Sequence, residues 1–462
     1  MADYDLVIRG GRLADASGDW EGDIAISGGR IAAVGTGLGP GADEIDAAGR
    51  LVLPGGVDSH CHIEQVSGAG IMNADTFETA TRSALMGGTT TTVSFAAQHP
   101  GMRVGDVVAD YAALAKAGAM TDHAFHMIVS DVSGDNLADL GRLIDAGHRS
   151  IKAFTTYDKV RLDDAALLDV MDTARAHGAL VCVHAETDAL IRHATRRLLA
   201  EGRTAPRDHA ASHPRLAEIE ALERVCRFAE YTGQPVMLFH ISTAEGIDVV
   251  RRARARGVPV WAETCTHYLF QTEDALNGGA GFLCSPPQRT AADREALWHG
   301  LETGALSLVT SDHAPYRLDE TGKFRHGRDA PFPQLANGQP GLEVRLPLLF
   351  DAMVSRGRLG LSAFVELTAA APARIFGLTG KGALRPGCDA DLVLWNPERQ
   401  ETLGALHDNV GYNPFEGTRV TGWPETVLRR GEVVVADGTL RATPGSGRRV
   451  PMALSRAMTP RA

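Results

Sequence analysis

Residues 56–63, Gly56-Val-Asp-Ser-His60-Cys-His62-Ile63, decide the fold. They read as a short strand that ends in two histidines. Side chains alternate along a strand with period two, so His60 and His62 share a side and both imidazoles can reach one ion. A histidine pair of this kind is weak evidence by itself. Its weight comes from the series it opens, in which residues 89–95, 123–129, 150–154, 180–184, 235–241, 259–263 and 306–311 are further candidate strands. Helical patterns fill the gaps, as over 163–177 and 216–232. Strands alternating with helices predict a parallel sheet, and eight is the number that closes a barrel.

Outside this middle region the texture changes. Up to about residue 53, Asp5-Leu-Val-Ile-Arg, Gly22-Asp-Ile-Ala-Ile and Arg30-Ile-Ala-Ala-Val-Gly are short β-rich runs parted by Gly and Asp, and they read as antiparallel hairpins. Runs of the same character return in Asp391-Leu-Val-Leu-Trp, Glu425-Thr-Val-Leu-Arg and Glu432-Val-Val-Val-Ala. Like segments at opposite ends predict one small sheet domain from residues 1–53 and 383–441, with the barrel over 54–382. Residues 442–462, richer in Pro, Gly, Arg and Ser, are expected to form a loosely held tail.

Of the 462 residues, 44% are hydrophobic and 22% charged, which is ordinary for a soluble globular protein and excludes wholesale disorder. Lys and Arg number 46 against 57 Asp and Glu, a net −11 that argues against a nucleic-acid partner. The basic runs at Arg251–Arg256 and from Arg448 read as a solvated helix face and a terminus. Six cysteines without a C-x-x-C pair are too sparse for a disulfide scaffold and do not form a cysteine zinc motif. The start, MADYDLVIRGG, enters strand-like alternation without an apolar signal region. No stretch approaches the roughly 18 uninterrupted apolar residues of a membrane helix. The expectation is a reduced, cytoplasmic protein with neither membrane nor nucleic-acid partner.

Chemistry gathers at the C-terminal ends of the candidate strands, where barrel enzymes carry their catalytic groups. After His60 and His62 come His184 in Val-Cys-Val-His-Ala-Glu, His240 in Leu-Phe-His-Ile-Ser-Thr-Ala-Glu, and Asp312 in Val-Thr-Ser-Asp-His-Ala-Pro. Four histidines and one acid at four strand ends point to a metal site rather than to separate core histidines. Lys152, in Ser-Ile-Lys-Ala-Phe, is either a surface lysine at a strand terminus or a buried amine that must be paired or modified. Carboxylation would make it an anionic carbamate whose two oxygens can bridge two metals.

Further motifs stand in order along nearly the whole chain. They are Pro54-Gly-Gly-Val-Asp-Ser-His60-Cys-His62, Gly87-Gly-Thr-Thr-Thr, Lys152 with Tyr157 five residues on, and Val183-His184-Ala-Glu. There follow His240-Ile-Ser-Thr-Ala-Glu, Ser285-Pro-Pro-Gln-Arg, Ser311-Asp312-His313-Ala-Pro, Asn337-Gly-Gln-Pro-Gly-Leu-Glu and Tyr412-Asn-Pro-Phe-Glu-Gly. On these residues the chain resembles the hydantoinase/dihydropyrimidinase group of cyclic amidohydrolases.

The resemblance implies a (β/α)8 TIM barrel with a β-sandwich built from both termini. It implies two divalent ions, most often Zn2+, with Mn2+, Co2+ or Fe2+ able to substitute. His60, His62 and Asp312 would hold one ion, His184 and His240 the other, and carboxylated Lys152 would bridge them. A bridging hydroxide would attack a ring amide carbonyl, and Asp312 would carry its proton to the leaving nitrogen. Tyr157 would donate to the oxyanion, or else simply pack beside a barrel strand. Main chain at Ser285 and Asn337 would hold the ring. The implied substrate is a small cyclic ureide or imide, a 5-substituted hydantoin or a dihydropyrimidine opened to the N-carbamoyl amino acid. The implied assembly is a homo-oligomer, tetramer or dimer.

Departures bear on the substrate. The group usually follows the H-x-H with an apolar loop, whereas Glu64 and Gln65 stand here, either to meet a polar or cationic substituent or to face solvent. Ile63 occupies the place of the arginine that dihydroorotase-like enzymes use for a substrate carboxylate, which argues against an acidic ring. An allantoinase, or another cyclic imide hydrolase, shares the same ligands. A non-catalytic scaffold of the dihydropyrimidinase-related kind would have lost ligands, and all six positions are filled here.

Overall fold

The computed structural model describes residues 2–68 and 70–458. The chain opens with β1 (Tyr4–Asp15), β2 (Gly18–Ser27), β3 (Arg30–Gly35), β4 (Gly41–Asp46) and β5 (Leu51–Pro54). There follow β6 (Gly56–Cys61), β7 (Thr89–Ala97), β8 (Asp122–Ile128), β9 (Ser150–Phe154), β10 (Leu180–His184), β11 (Val236–Leu238), β12 (Val260–Cys265) and β13 (Leu308–Thr310). These eight strands form one parallel sheet in sequence order. A bridge between Cys61 and His313, with the His62 amide donating to the His313 carbonyl at 2.7 Å, brings its first and last edges together as a barrel.

Helices cover the outside, as the periodicity predicts. The helix Asp164–His177 starts where the Asp163 carboxylate accepts from the Ala166 amide at 2.9 Å, and it stops at Gly178, whose φ of 75° suits glycine. The helix Arg215–Thr232 ends the same way at Gly233. Strands β9 and β10 have the predicted limits, whereas β11 and β13 are shorter than expected. The backbone at His240 and Asp312 turns to φ 41° and 46°, which ends each ladder early and swings both side chains out of the sheet.

The terminal segments make a second, nine-stranded mixed sheet, completed by β14 (Leu392–Thr402), β15 (Arg419–Arg429), β16 (Glu432–Ala436) and β17 (Thr439–Leu440). β1 to β3 pair antiparallel as expected, but β4 and β5 run parallel to β1. Antiparallel pairing of β5 with β14 joins the two ends of the chain. Leu6, Ile8, Ile24 and Ile26 pack with Leu392, Leu394 and Leu428 in an apolar core separate from that of the barrel.

The expectation of a loosely held tail is corrected over its described part. Val450 donates to the His123 carbonyl at 2.8 Å and Met452 to that of Gly147 at 2.9 Å, while the Met452 and Met458 side chains are buried. This strap crosses the N-terminal side of the barrel. Residues 459–462 lie outside the described residues. No helix among the described residues is long and apolar enough to cross a membrane.

Candidate active site

All nine predicted site residues line one cavity of about 290 Å³ at the C-terminal ends of the barrel strands. His60 and His62 come from the end of β6, Lys152 from β9, His184 from β10, His240 from just beyond β11 and Asp312 from just beyond β13. Tyr157, Ser285 and Asn337 reach the same space from loops.

At one end His60, His62 and Asp312 bring one ligand atom each within 4.8 Å of one another. Both imidazoles aim Nε2 at Asp312 Oδ1, at 3.0 Å from His60 and 3.4 Å from His62. Their other nitrogens are held from behind. His60 Nδ1 donates to Glu263 Oε1, and His62 Nδ1 donates to Gln65 Oε1 at 2.7 Å. An imidazole whose Nδ1–H is fixed in this way presents Nε2 as a ligand, the arrangement common around catalytic metals. Burial disfavours charge on His60, yet Asp312 and Glu263 outweigh it and hold the imidazole at about 9. Burial would likewise raise the Asp312 carboxyl, but His60 and His62 hold it well below the usual range. The carboxylates of Asp312 and Glu263, which favour a proton on His60, would equally favour a metal cation in that proton's place.

The other end contains His184 and His240, with ring centroids 4.4 Å apart. His184 Nε2 is tied to Glu186 Oε2 at 2.8 Å, and Glu186 Oε1 in turn takes His213 Nδ1 at 2.8 Å, which leaves His184 Nδ1 as the nitrogen that could bind a metal. Among the described residues, buried His240 Nδ1 has no hydrogen-bond partner. A buried polar atom left alone is costly, and a metal is one partner that relieves it.

Lys152 lies between the two ends and is almost wholly buried. Its Nζ sits 4.2 Å from the centroid of the Phe239 ring and 4.8 Å from that of Phe154, and among the described residues no carboxylate is within ion-pair reach. Burial lowers its amine to about 8, so a neutral, nucleophilic form is accessible near neutrality. The donor set of four imidazoles, one carboxylate and this amine fits divalent metal.

Tyr157 stands at φ 72°, and its phenol is pushed well above its ordinary value, first by burial and then by Glu186. It therefore stays protonated and able to donate. Of the six non-glycine residues with positive φ among the described residues, Tyr157, His240 and Asp312 line the site and Glu64 adjoins it, a clustering of backbone strain typical of functional loops.

Several supporting groups were not foreseen. Glu263, which holds His60 from behind, is an acid following the apolar run Val260-Trp-Ala, a signal that does not say what it supports. Asp58, buried under the H-x-H, pairs with buried Arg345 at 3.2 Å, a partnership that no local pattern announces. The structure gives Glu64 and Gln65, both partly buried, separate places. Glu64 accepts from the Phe77 amide at 3.0 Å, at the start of the helix Phe77–Met86, and Gln65 anchors His62 while lining the cavity.

The chain matches the family model described as Amidohydrolase family over residues 51–434. It is 40% identical to a D-hydantoinase of Rhizobium radiobacter over 451 residues, 96% of this chain and 98% of that one. Among solved structures it is similar to a D-hydantoinase, with TM-score 0.93 and 39% identity over 97% of this chain and 100% of the other. It is also similar to the dihydropyrimidinase of Brevibacillus agri, with TM-score 0.94 and 35% identity over 97% and 99%. A barrel with histidines, lysine and aspartate at its strand ends, and likeness along the full length, lead to one assignment: the chain belongs to the amidohydrolase family, within its hydantoinase/dihydropyrimidinase group.

Proposed function

We propose that this enzyme hydrolyses the ring amide of a small cyclic ureide or imide, a 5-substituted hydantoin or a dihydropyrimidine, to the open N-carbamoyl amino acid. The observation that carries this reading is the convergence of His60, His62, Lys152, His184, His240 and Asp312 on one cavity. His60, His62 and Asp312 would hold one divalent ion and His184 and His240 the second, with Lys152, carboxylated, between them. Zn2+ suits these ligands, and Mn2+, Co2+ or Fe2+ can replace it. Ions held there supply Lewis acidity at the ring carbonyl and lower the pKa of water from 15.7 to about 7.

The residues do the rest. Asp312 takes a proton from the attacking water and delivers it to the ring nitrogen as the C–N bond breaks. The Tyr157 hydroxyl donates to the carbonyl oxygen as it gains negative charge. Main chain at Ser285 and Asn337 holds the ring. Water adds across the C–N bond, giving a carboxylate on one side and a ureido or amide nitrogen on the other. The barrel over residues 54–382 is the catalytic unit, and the working form is a cytoplasmic homo-oligomer, tetramer or dimer.

The test is a panel of hydantoins with varied 5-substituents, dihydropyrimidines, allantoin, succinimide and phthalimide, assayed with the zinc and manganese forms. Ring opening of hydantoins or dihydropyrimidines is expected, with loss of at least about a thousandfold in His184→Ala and Lys152→Ala. Allantoin as the preferred ring would move the assignment to an allantoinase. Undiminished turnover in either variant would sink the proposed centre.

A further inference from the structure

Lys323 is fully buried, yet it lies outside the cavity and has no carboxylate within ion-pair reach among the described residues. Its Nζ donates to the Ala336 carbonyl and to the Gly338 carbonyl, each at 2.7 Å. Those carbonyls flank Asn337 on either side. A trans peptide points its C=O and the next N–H in opposite directions. With the Ala336 carbonyl drawn to Lys323, the Asn337 N–H must therefore point away from it. The Gly338 N–H is committed to the Leu283 carbonyl at 2.8 Å, so the Asn337 C=O is turned away from that strand of chain. Among the described residues neither the N–H nor the C=O of Asn337 has a partner, although the residue lines the cavity.

An N–H and a C=O held side by side and unpaired are the complement of the C(=O)–N(H) edge of a cyclic ureide or imide. Two further features keep the loop in place. Gly338 has φ 142°, and a Cβ there would run into the Ala314 carbonyl, so only glycine fits. Gln339 Nε2 donates to the Phe282 carbonyl at 2.9 Å, which ties this loop to the one bearing Ser285.

Resting on the reading of Asn337 as a ring-binding residue, we propose that Lys323 is a positioning residue that aims the Asn337 main chain at the ring. It touches neither substrate nor metal ligand and acts through two peptide groups. Burial without a counter-ion lowers its amine to about 7, so the protein keeps a costly cation or a neutral amine here where an apolar side chain would pack freely.

Lys323→Met keeps the volume and removes both donors. In the metal-loaded enzyme it is expected to raise KM about tenfold for hydantoin and dihydropyrimidine alike, with kcat within about threefold and the metal content unchanged, the pattern of lost ground-state binding. A residue needed only for folding would lower the melting midpoint and the active fraction and leave KM alone. If Lys323→Met does not fold, Lys323→Gln decides, because its amide donates from a stem one atom shorter and cannot reach both carbonyls. A folded Met variant, or failing that a folded Gln variant, with KM within twofold of the parent overturns the proposal. The parent enzyme is assayed on the same rings, so the absence of turnover there counts against the proposed function and not against Lys323.

Discussion

Glu263 accepts from His60 Nδ1 and also receives the His240 main-chain N–H at 3.4 Å, so one buried carboxylate touches a group from each end of the site. Glu263→Gln keeps the shape but removes the charge that holds the His60 proton on Nδ1. Metal affinity should fall about 10–100-fold, the usual cost of removing such a support. Chelator competition measures it, and an unchanged affinity would show that Glu263 only fills space. Much at this scale was legible. His60 and His62 followed from period two, and His184, His240 and Asp312 from their places at strand ends. Glu263 and Gln65 were not read in these roles, because a residue that supports a ligand from behind is chosen by the closed barrel. Nothing in Ile63-Glu64-Gln65 says that the second of its polar side chains turns back on His62 while the first meets the Phe77 amide.

At the scale of elements, the barrel closes where β6 meets β13, and the fully buried Asp58–Arg345 pair sits at that seam. Arg345 also donates to the Val309 carbonyl at 3.1 Å and to Thr89 Oγ1 at 3.2 Å, so one guanidinium fastens first strand, second strand and last. Arg345→Met leaves Asp58 as a lone buried carboxylate and should cost about 3–5 kcal/mol. Denaturant unfolding reads that loss, and Asp58→Asn in the same chain should recover part of it. A midpoint that does not move would remove the pair from the account of closure. The strand sequence was legible because apolar runs bounded by glycine and polar residues repeat along the chain. The shortness of β11 and β13 was not, since the turn at His240 and Asp312 is imposed by the site. The parallel addition of β4 and β5 to β1 was hidden for a related reason, because strand direction depends on how a connection crosses the sheet.

For the whole molecule, the terminal sheet and the strap over residues 442–458 bind the two ends of the chain to the barrel. Composition suggested a loose tail there, and burial of Met452 and Met458 overrode it. His148 lies close to this strap. Burial, aided by nearby Arg449, lowers its imidazole from 6.5 to about 4. The unfolded chain protonates this residue first, so the stability it lends is complete above pH 6.5 and drains away as the pH falls towards 4. His148→Gln should flatten acid destabilisation across that window by on the order of 3 kcal/mol. Denaturant midpoints at pH 7 and pH 4 check this, and equal slopes in parent and variant would exclude His148 as a source.

One measurement bears most directly on the claim that six side chains at the barrel mouth hold two ions for ring opening. Metal-free protein is titrated with Zn2+ while hydrolysis of a 5-substituted hydantoin and of dihydrouracil is followed. No turnover is expected before metal is added, followed by a rise that levels off at two equivalents per chain. Turnover in the metal-free protein, or saturation with two bound equivalents and no hydrolysis of any ring in the panel, would contradict it.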